Sequence, residues 1–124
     1  MKDFRALKVW QQAHGVTLEI YKATGSFPRE ELFGLTSQMR RCGVSIGANI
    51  AEGAGKRGNA EFQRYLNIAA GSASELDYHL LLAHDLKFLP ESEYQRLAGD
   101  LLHLRKMLTC LIRKIEHEHL LAKC

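Results

Sequence analysis

Cysteine and proline are scarce in this sequence, and each scarcity excludes a class of structure. The three cysteines, Cys42, Cys110 and Cys124, are odd in number and far apart, and they form no CxxC pair. Neither a disulfide framework nor a zinc knuckle is therefore expected, and the thiols are predicted to be reduced. The two prolines, Pro28 and Pro90, each follow a segment with helical periodicity, so they are predicted to separate helices.

Long hydrophobic runs and strand-like patterns are also missing. The longest unbroken apolar run, Leu80–Ala83, has four residues, and residues 1–10 alternate charged with apolar side chains. This pattern predicts neither a membrane-spanning helix nor a signal peptide, so we expect a cytoplasmic protein without membrane contact. Alternation with period two is lacking, and Val, Ile and Thr are scattered, which disfavours strands.

A strong excess of one charge is lacking too. Seventeen Lys and Arg against fourteen Asp and Glu give a net charge of +3, which permits an acidic partner such as nucleic acid without requiring one. The hydrophobic fraction of 46% and the charged fraction of 25% are typical of a folded globular chain. The length of 124 residues fits a single domain, which is predicted to span residues 1–124.

What the sequence does have is helical periodicity. Apolar residues recur at spacings of three and four along four segments, which the prolines and a glycine-rich stretch at residues 53–58 separate. The first predicted helix covers residues 4–23, and the second covers residues 30–52, with an alternative start near Thr36. In the third and fourth helices the apolar rows run from Phe62 to Ala83 and from Tyr94 to Ile115. Rods of this length pack best as an up-down-up-down antiparallel four-helix bundle, so the predicted fold class is all-α.

Helices one and three each carry more apolar rows than a single bundle needs, and helix four has further apolar residues off its main row, among them Leu120 and Leu121. On helix three a second row, which includes Tyr65, Ile68, Leu82 and Leu86, is rotated by about 100° from the first. A monomer would leave part of this surface exposed, so a homo-oligomer is predicted. The alternative is that Lys and Arg stems and scattered surface leucines cover the excess.

Polar residues interrupt the apolar helices at regular intervals. These residues are Ser45, Asn49 and Glu52 on one face of helix two and Ser72, Glu75 and His79 on one face of helix three. If the two helices are antiparallel neighbours, these groups can meet in a structural polar network, with Arg41 or Arg64 neutralising the acids. The alternative is an acid–base site that uses Glu52 and Glu75, because two close carboxylates raise one pKa towards neutrality. No nucleophile or cofactor accompanies them, so no catalytic residue and no cofactor is predicted.

Histidine spacing does not predict a metal site. His79 and His84 are five residues apart, which is off the i, i+4 spacing that places two imidazoles on one helix face. The histidines within residues 116–119 alternate around the helix and do not converge. No metal ligand is therefore predicted.

Basic residues are concentrated around the glycine-rich stretch. Between residues 38 and 64 five cations oppose two acids, for a local charge of +3, and the five are Arg40, Arg41, Lys56, Arg57 and Arg64. Residues 53–58 lead into a helix N-terminus, whose free N–H groups favour phosphate, so the five residues are predicted to bind nucleic acid. The stretch is not a Walker A loop, since no Ser or Thr follows the lysine. The alternative is a solvated loop whose cations pair with Glu52 and Glu61.

Several segments, in the same order along the chain, resemble one known family. They are LKVWQQA at residues 7–13, FGLTSQMRR at 33–41, VSI at 44–46 with NIAEG at 49–53, and EF at 61–62 with YL at 65–66. These segments resemble the bacterial four-helix-bundle family first described from intervening sequences in large-subunit ribosomal RNA genes. The resemblance implies a ring of five subunits with no known catalytic activity. It also implies a distant likeness to retroelement accessory proteins that bind a reverse transcriptase and nucleic acid.

The sequence departs from the family pattern at two glycines. Gly47 stands where members often carry a proline, and Gly58 stands where they often carry a serine that would pair with Glu61 to cap helix three. Asn59 is then the candidate cap. The change at Gly47 leaves the bend of helix two open, and the spacing of Gly43 and Gly47 favours a close approach of another helix.

These patterns together predict a non-enzymatic, homo-oligomeric scaffold, with a pentamer favoured, that binds RNA or DNA, or a nucleic-acid enzyme, through its basic loop residues. One alternative is a protein–protein adaptor without nucleic-acid contact, and the less favoured one is a small acid–base enzyme that uses Glu52 and Glu75. Three observations distinguish the classes: salt-dependent RNA binding, nuclease-insensitive capture of a protein partner, and a carboxyl group that titrates near neutrality.

Overall fold

The computed structural model describes residues 2–123 and the side chains up to residue 118, so Cys124 and the side chains of Leu120 and Leu121 lie outside the described part. The four helices are α1 (Lys8–Thr24), α2 (Leu35–Ala54), α3 (Asn59–Asp85) and α4 (Glu91–Lys123). Two short 3-10 turns precede α1 and α2. No strand occurs within residues 2–123, and the all-α prediction is confirmed.

Helices α1 and α2 begin later than the predicted residues 4 and 30. The predicted first helix divides into a 3-10 turn at Phe4–Ala6 and α1, because Leu7 between them is extended. The second helix begins close to the alternative predicted start near Thr36. Gly34 has a non-helical backbone conformation, and α2 begins at Leu35. Its first N–H is satisfied by Glu31, whose Oε1 accepts a hydrogen bond from Leu35 N at 3.1 Å.

The connection from α3 to α4 is short and tightly hydrogen-bonded. Lys87 has a left-handed backbone with φ of 65°, and Phe88 N donates to Ala83 O at 2.9 Å. Pro90 then precedes α4 directly, and its carbonyl accepts from Tyr94 N at 2.9 Å. The proline therefore stands where its missing N–H costs nothing.

The four helices pack side by side around one core. Helices that are consecutive in the chain contact each other, and α1 also contacts α4. Helices α3 and α4 are antiparallel, because contacts further along α4 involve residues nearer the start of α3. Arg105 contacts Asp77 at 2.9 Å, and Glu116 contacts Gln63 at 3.0 Å. The short connections impose the same reversal at the other turns, which gives the predicted up-down-up-down order.

The core consists of the apolar rows that the periodicity predicted. Its large, fully buried side chains are Ile20, Met39, Ile46, Ile50, Leu66, Leu76, Leu80, Leu97, Leu101, Leu104 and Leu108. Each contributes about 1.5–3 kcal/mol of burial free energy. None of the described helices is both long and apolar enough to cross a membrane.

Helix α2 passes through Gly47 without a break, and α1 crosses it closely. Thr17 Oγ1 donates to Gly43 O at 2.9 Å, and a Cβ built on Gly43 would lie 3.3 Å from that oxygen of Thr17. A Cβ on Gly47 would lie 3.6 Å from Trp10 Nε1. Gly43 therefore allows the close helix approach that the glycine spacing favoured, whereas a Cβ at Gly47 would make only an ordinary contact.

Candidate functional site

The five predicted nucleic-acid-binding residues separate into two groups. Arg40 and Arg41 lie in the first half of α2, whereas Lys56 and Arg57 follow its end. The thirteen helical steps from Arg41 to Ala54 place the groups about 20 Å apart. The five cations thus do not form one patch on a single chain.

Arg40 is engaged in packing. Its Nε donates to Thr24 Oγ1 at 2.9 Å, and its guanidinium carbon lies 4.8 Å from the centre of the Tyr21 ring. These contacts connect α2 to α1. Arg41, its neighbour, is exposed.

The second group lies around Tyr65 at the end of the bundle. Lys56 Nζ lies 5.6 Å from the centre of the Tyr65 ring, and the guanidinium carbon of Arg64 lies 4.5 Å from it. Arg64 Nε also donates to Glu61 Oε2 at 2.8 Å. This bond, together with the charge of Arg64 and more weakly that of Lys56, holds the pKa of Glu61 below its ordinary value. Arg64 is therefore partly neutralised, while Lys56 and Arg57 are exposed.

Lys2 joins this group, and sequence reasoning missed it. Its backbone N donates to Ala54 O at 2.9 Å, which fixes the N-terminal segment against the end of α2. Its Nζ then lies 5.1 Å from the centre of the Phe62 ring. Only the tertiary pairing brings Lys2 here, so no local signal could have found it. We call Lys2, Lys56, Arg57 and Arg64 the basic end.

The prediction that Asn59 caps helix three is wrong. Gly58 occupies the N-cap with φ of 82°, in the left-handed region that favours glycine, and no side chain among the described residues caps the helix there. Asn59 Nδ2 instead donates to Glu118 Oε2 on α4 at 3.3 Å. The first N–H groups of α3 are therefore left for other acceptors beside the basic end.

Part of the predicted polar network does form between α2 and α3. The Oγ atoms of Ser45 and Ser72 are 2.8 Å apart. Asn49 Nδ2 donates to Ser45 O at 2.8 Å and lies 3.1 Å from Ser45 Oγ. These three residues, which we call the polar cluster, connect the two helices at half-buried positions.

The two acids predicted for the network lie apart. Glu75 lies opposite Cys42, whereas Glu52 is exposed ten residues further along α2, a rise of about 15 Å. Antiparallel packing causes this separation, since moving towards the end of α2 means moving towards the start of α3. The expected neutralisation also differs, because Arg64 pairs with Glu61 rather than with Glu52.

A second group of polar side chains lies beside the polar cluster. Cys42 Sγ lies 3.7 Å from His79 Nδ1, and His79 Nε2 lies 3.5 Å from Glu75 Oε2. Burial, together with the Glu75 carboxylate, raises the pKa of the Cys42 thiol to about 12. The i, i+4 spacing of Glu75 and His79 was visible in the sequence, but the partner on α2 depends on helix register. We call these three residues the Cys–His–Glu cluster.

An apolar groove lies between α1 and α2. Its walls include Tyr21, Leu32, Phe33 and Val44, its volume is ≈ 630 Å³, and Arg41 lies at its edge. The Phe33 side chain is 93% exposed, which is unusual for an aromatic residue. We call this surface the α1–α2 groove.

The extra apolar rows are partly covered by the bundle itself. On helix three Ile68 and Leu86 are exposed, as the row pattern predicted, but Tyr65 and Leu82 are half-buried. The most exposed of the large apolar side chains in the described part, Phe33, lies instead in the α1–α2 groove, at a position outside the predicted rows.

Comparison with known proteins agrees with this architecture. The family described as 23S rRNA-intervening sequence protein matches residues 5–110. A solved structure, from Bacteroides thetaiotaomicron and described as a protein with unknown function from the S23 ribosomal protein family, is 28% identical. The similarity covers 85% of this chain and 95% of that chain, with a TM-score of 0.78. No curated protein matches the sequence. The chain belongs to the 23S rRNA-intervening sequence protein family.

Proposed function

We propose that this protein is a non-enzymatic, homo-oligomeric scaffold that binds nucleic acid through its basic end. The observation that carries the proposal is the convergence of Lys2, Lys56 and Arg57 at one end of the bundle, beside the uncapped start of α3. Segments from the N-terminus and from the α2–α3 loop supply these cations. Such an arrangement suits an extended polyanion better than a small ligand.

The chemistry of the basic end favours contacts to phosphate over contacts to bases. Lysine and arginine side chains and free helix N–H groups bind phosphate without reading sequence. The Phe62 ring is buried and Tyr65 is half-buried beneath the cations, so neither offers an open face for base stacking. Binding is therefore expected to depend steeply on salt and only weakly on sequence.

Self-association is proposed to occur through the α1–α2 groove. A 93% exposed Phe33, flanked by exposed Leu32 and Val44, forms an apolar surface of the kind that copies of a chain cover. The family resemblance favours a five-subunit ring. Five basic ends in one ring would raise the affinity for a long RNA through effective concentration, provided that the RNA reaches several of them.

The absence of enzymatic activity is part of the proposal. The acid–base alternative needs Glu52 and Glu75 at one site, and antiparallel packing places them on different levels of the bundle. The thiol beside His79 and Glu75, that of Cys42, is buried, with a pKa raised to about 12, whereas catalytic thiols have lowered pKa values and accessible positions.

A salt titration of binding to structured RNA tests the basic end. The variant carries Lys56→Glu with Arg57→Glu, and the matched control carries Lys22→Glu with Arg29→Glu, which makes the same charge change at the opposite end. We expect the first variant to lose affinity and its salt slope to fall by about 1.5, since each phosphate contact releases 0.7–0.9 counterion. The control variant should retain most of the parent's affinity and most of its salt slope. Equal losses in the two variants, or none in either, would remove the basic end as the binding surface.

Native mass spectrometry tests the groove. The parent should form a closed homo-oligomer at micromolar concentration, and Phe33→Glu should shift it towards monomer, because a charge cannot be buried there cheaply. Leu102→Glu, at an exposed leucine on α4, is the matched control and should leave assembly unchanged. A monomeric parent would favour the second candidate function, in which the groove holds a different protein, such as a nucleic-acid enzyme.

A further inference from the structure

The Cys–His–Glu cluster presents three different metal-binding groups from two helices. One donor atom of each residue, the Cys42 sulfur, a His79 ring nitrogen and a Glu75 carboxylate oxygen, lies within 4.8 Å of the other two. Cys42 and His79 are buried, so both side chains are held in place by packing. Such fixed donors are what a preformed metal site requires.

The spacing between the two buried donors matches tetrahedral zinc. With a Zn–S bond of about 2.3 Å and a Zn–N bond of about 2.1 Å, the tetrahedral angle puts sulfur and nitrogen about 3.6 Å apart. The observed distance between Cys42 Sγ and His79 Nδ1 is 3.7 Å. The distance between the two atoms therefore fits one edge of a zinc tetrahedron.

From this geometry we propose that Cys42, His79 and Glu75 form a binding site for Zn²⁺ that links α2 to α3. A thiolate, an imidazole and a carboxylate together suit Zn²⁺, whereas Mg²⁺ and Ca²⁺ prefer oxygen donors only. Glu75 Oε2 lies 3.5 Å from His79 Nε2 rather than beside Nδ1, so binding of an ion between Cys42 and Nδ1 requires the Glu75 side chain to turn. That side chain is 54% exposed and free to do so, and the fourth position is left to water.

The same three residue types in this order also occur in nucleophilic triads, but their burial is reversed here. A triad needs an accessible thiol and a carboxylate that orients the histidine from within. In this bundle the Cys42 thiol is 5% exposed and the Glu75 carboxylate faces the solvent. A substrate cannot reach the sulfur, whereas an ion can enter along the exposed Glu75 side.

Cobalt spectroscopy provides the direct test. The 124-residue chain with Cys110→Ser and Cys124→Ser keeps Cys42 as its one thiol. After chelator treatment, added Co²⁺ should produce a sulfur-to-cobalt charge-transfer band and the intense visible bands of tetrahedral Co²⁺, both displaced by one equivalent of Zn²⁺ per chain. Histidines elsewhere cannot produce the charge-transfer band. Its absence would overturn the proposal and leave a hydrogen-bonded cluster without metal.

Single substitutions then assign the ligands. Glu75→Gln should weaken Zn²⁺ binding at least about tenfold, whereas Glu52→Gln, the matched exposed acid on the facing helix, should leave it unchanged. Zn²⁺ should also raise the Tm of the parent by a few degrees but not that of His79→Gln. Equal Zn²⁺ affinity in the Glu75 and Glu52 variants, or an equal Tm rise in the His79 variant, would overturn the site as assigned.

Discussion

Helix α3 is held differently on its two sides. Towards α4, leucines such as Leu80 and Leu104 fill the interior, and polar pairs such as Asp77–Arg105 lie at the exposed rim. Towards α2 the polar groups move inward, and Ser45 and Ser72 bond at half-buried positions. Apolar layers are interchangeable from one turn to the next, whereas a pair of hydroxyls satisfies only one register. Of the two interfaces of α3, the α2–α3 interface is therefore the one whose polar contacts specify helix register.

The two interfaces should also differ in their tolerance of change. An exposed ion pair at the α3–α4 rim contributes about 0–1 kcal/mol, because water screens it. At the α2–α3 interface the backbones approach so closely that a Cβ on Gly53 would lie 2.7 Å from Tyr65 Cβ. Steric overlap of two fixed atoms cannot be relieved by rotating a side chain, so small changes there should have large effects.

The largest expected effect is that of Gly53→Ala. The new methyl group would also lie 3.0 Å from Phe62 Cδ1, so α2 and α3 must move apart. We expect the free energy of unfolding to fall by about 1–3 kcal/mol. Urea denaturation monitored by circular dichroism measures this change.

Gly71→Ala on the exposed side of α3 is the matched control. Nothing lies within 4 Å of a Cβ at this position, so alanine should stabilise the helix by about 0.5–1 kcal/mol. Opposite signs for the two substitutions would sharpen the contrast between the interface and the free surface. A stabilising Gly53→Ala would show that the interface is looser than the structure indicates.

Sequence periodicity predicts one of these interfaces better than the other. The three-four spacing of leucines identifies buried positions such as Leu80 and Leu104 directly, because burial on a helix depends only on the position around its axis. The partners across the α2–α3 interface depend on helix register, which no local pattern records. For that reason the Ser45–Ser72 bond was a conditional prediction, and the meeting of Cys42 with His79 was not predicted at all.

The residues of the basic end, too, could be predicted from the sequence only in part. The concentration of Lys56, Arg57 and Arg64 near one helix start was visible in the sequence, and the structure places them at one end of the bundle. Arg40 is near the other cations in sequence, but a helix separates residues along its axis by about 1.5 Å per residue. Lys2 is far from them in sequence, and only its backbone hydrogen bond to Ala54 brings it to the basic end.

A double-mutant cycle on Ser45 and Ser72 probes the register-specifying bond. Each single alanine substitution should cost about 1 kcal/mol of unfolding free energy, because it leaves the other hydroxyl without its partner. The double variant should cost less than the sum of the two, with a coupling energy of about 0.5–1 kcal/mol. Additive losses in thermal and urea unfolding would mean that the hydroxyls act independently and that the bond does not set the register.

The smallest expected effect concerns the α3–α4 connection, where a half-buried histidine, His84, responds to pH. His84 Nε2 lies 3.1 Å from Glu91 Oε1, and Nδ1 lies 3.3 Å from Asp85 Oδ1. The hydrogen bond to Glu91, and to a lesser extent the one to Asp85, raises the pKa of His84 above its ordinary value of about 6.5. The hydrogen bond between His84 and Glu91 also lowers the pKa of Glu91. The histidine contribution is therefore fully present below about pH 6.5 and is lost as the pH rises through the raised value. The glutamate contribution is lost only when the pH falls through the lowered pKa of Glu91.

His84→Phe isolates this charge, because it keeps a ring against Tyr94, whose ring centre lies 4.1 Å from that of His84. The Tm of the parent should exceed that of the variant by the most near pH 5.5, and the excess should shrink towards pH 8.5 as His84 loses its proton. High salt should reduce the excess at pH 5.5, since the Glu91 carboxylate is exposed. A Tm difference that stays constant across this range would mean that the ring, and not the charge, links the two helices. The α3–α4 interface would then depend on packing even at its polar rim, which would widen its contrast with the α2–α3 interface.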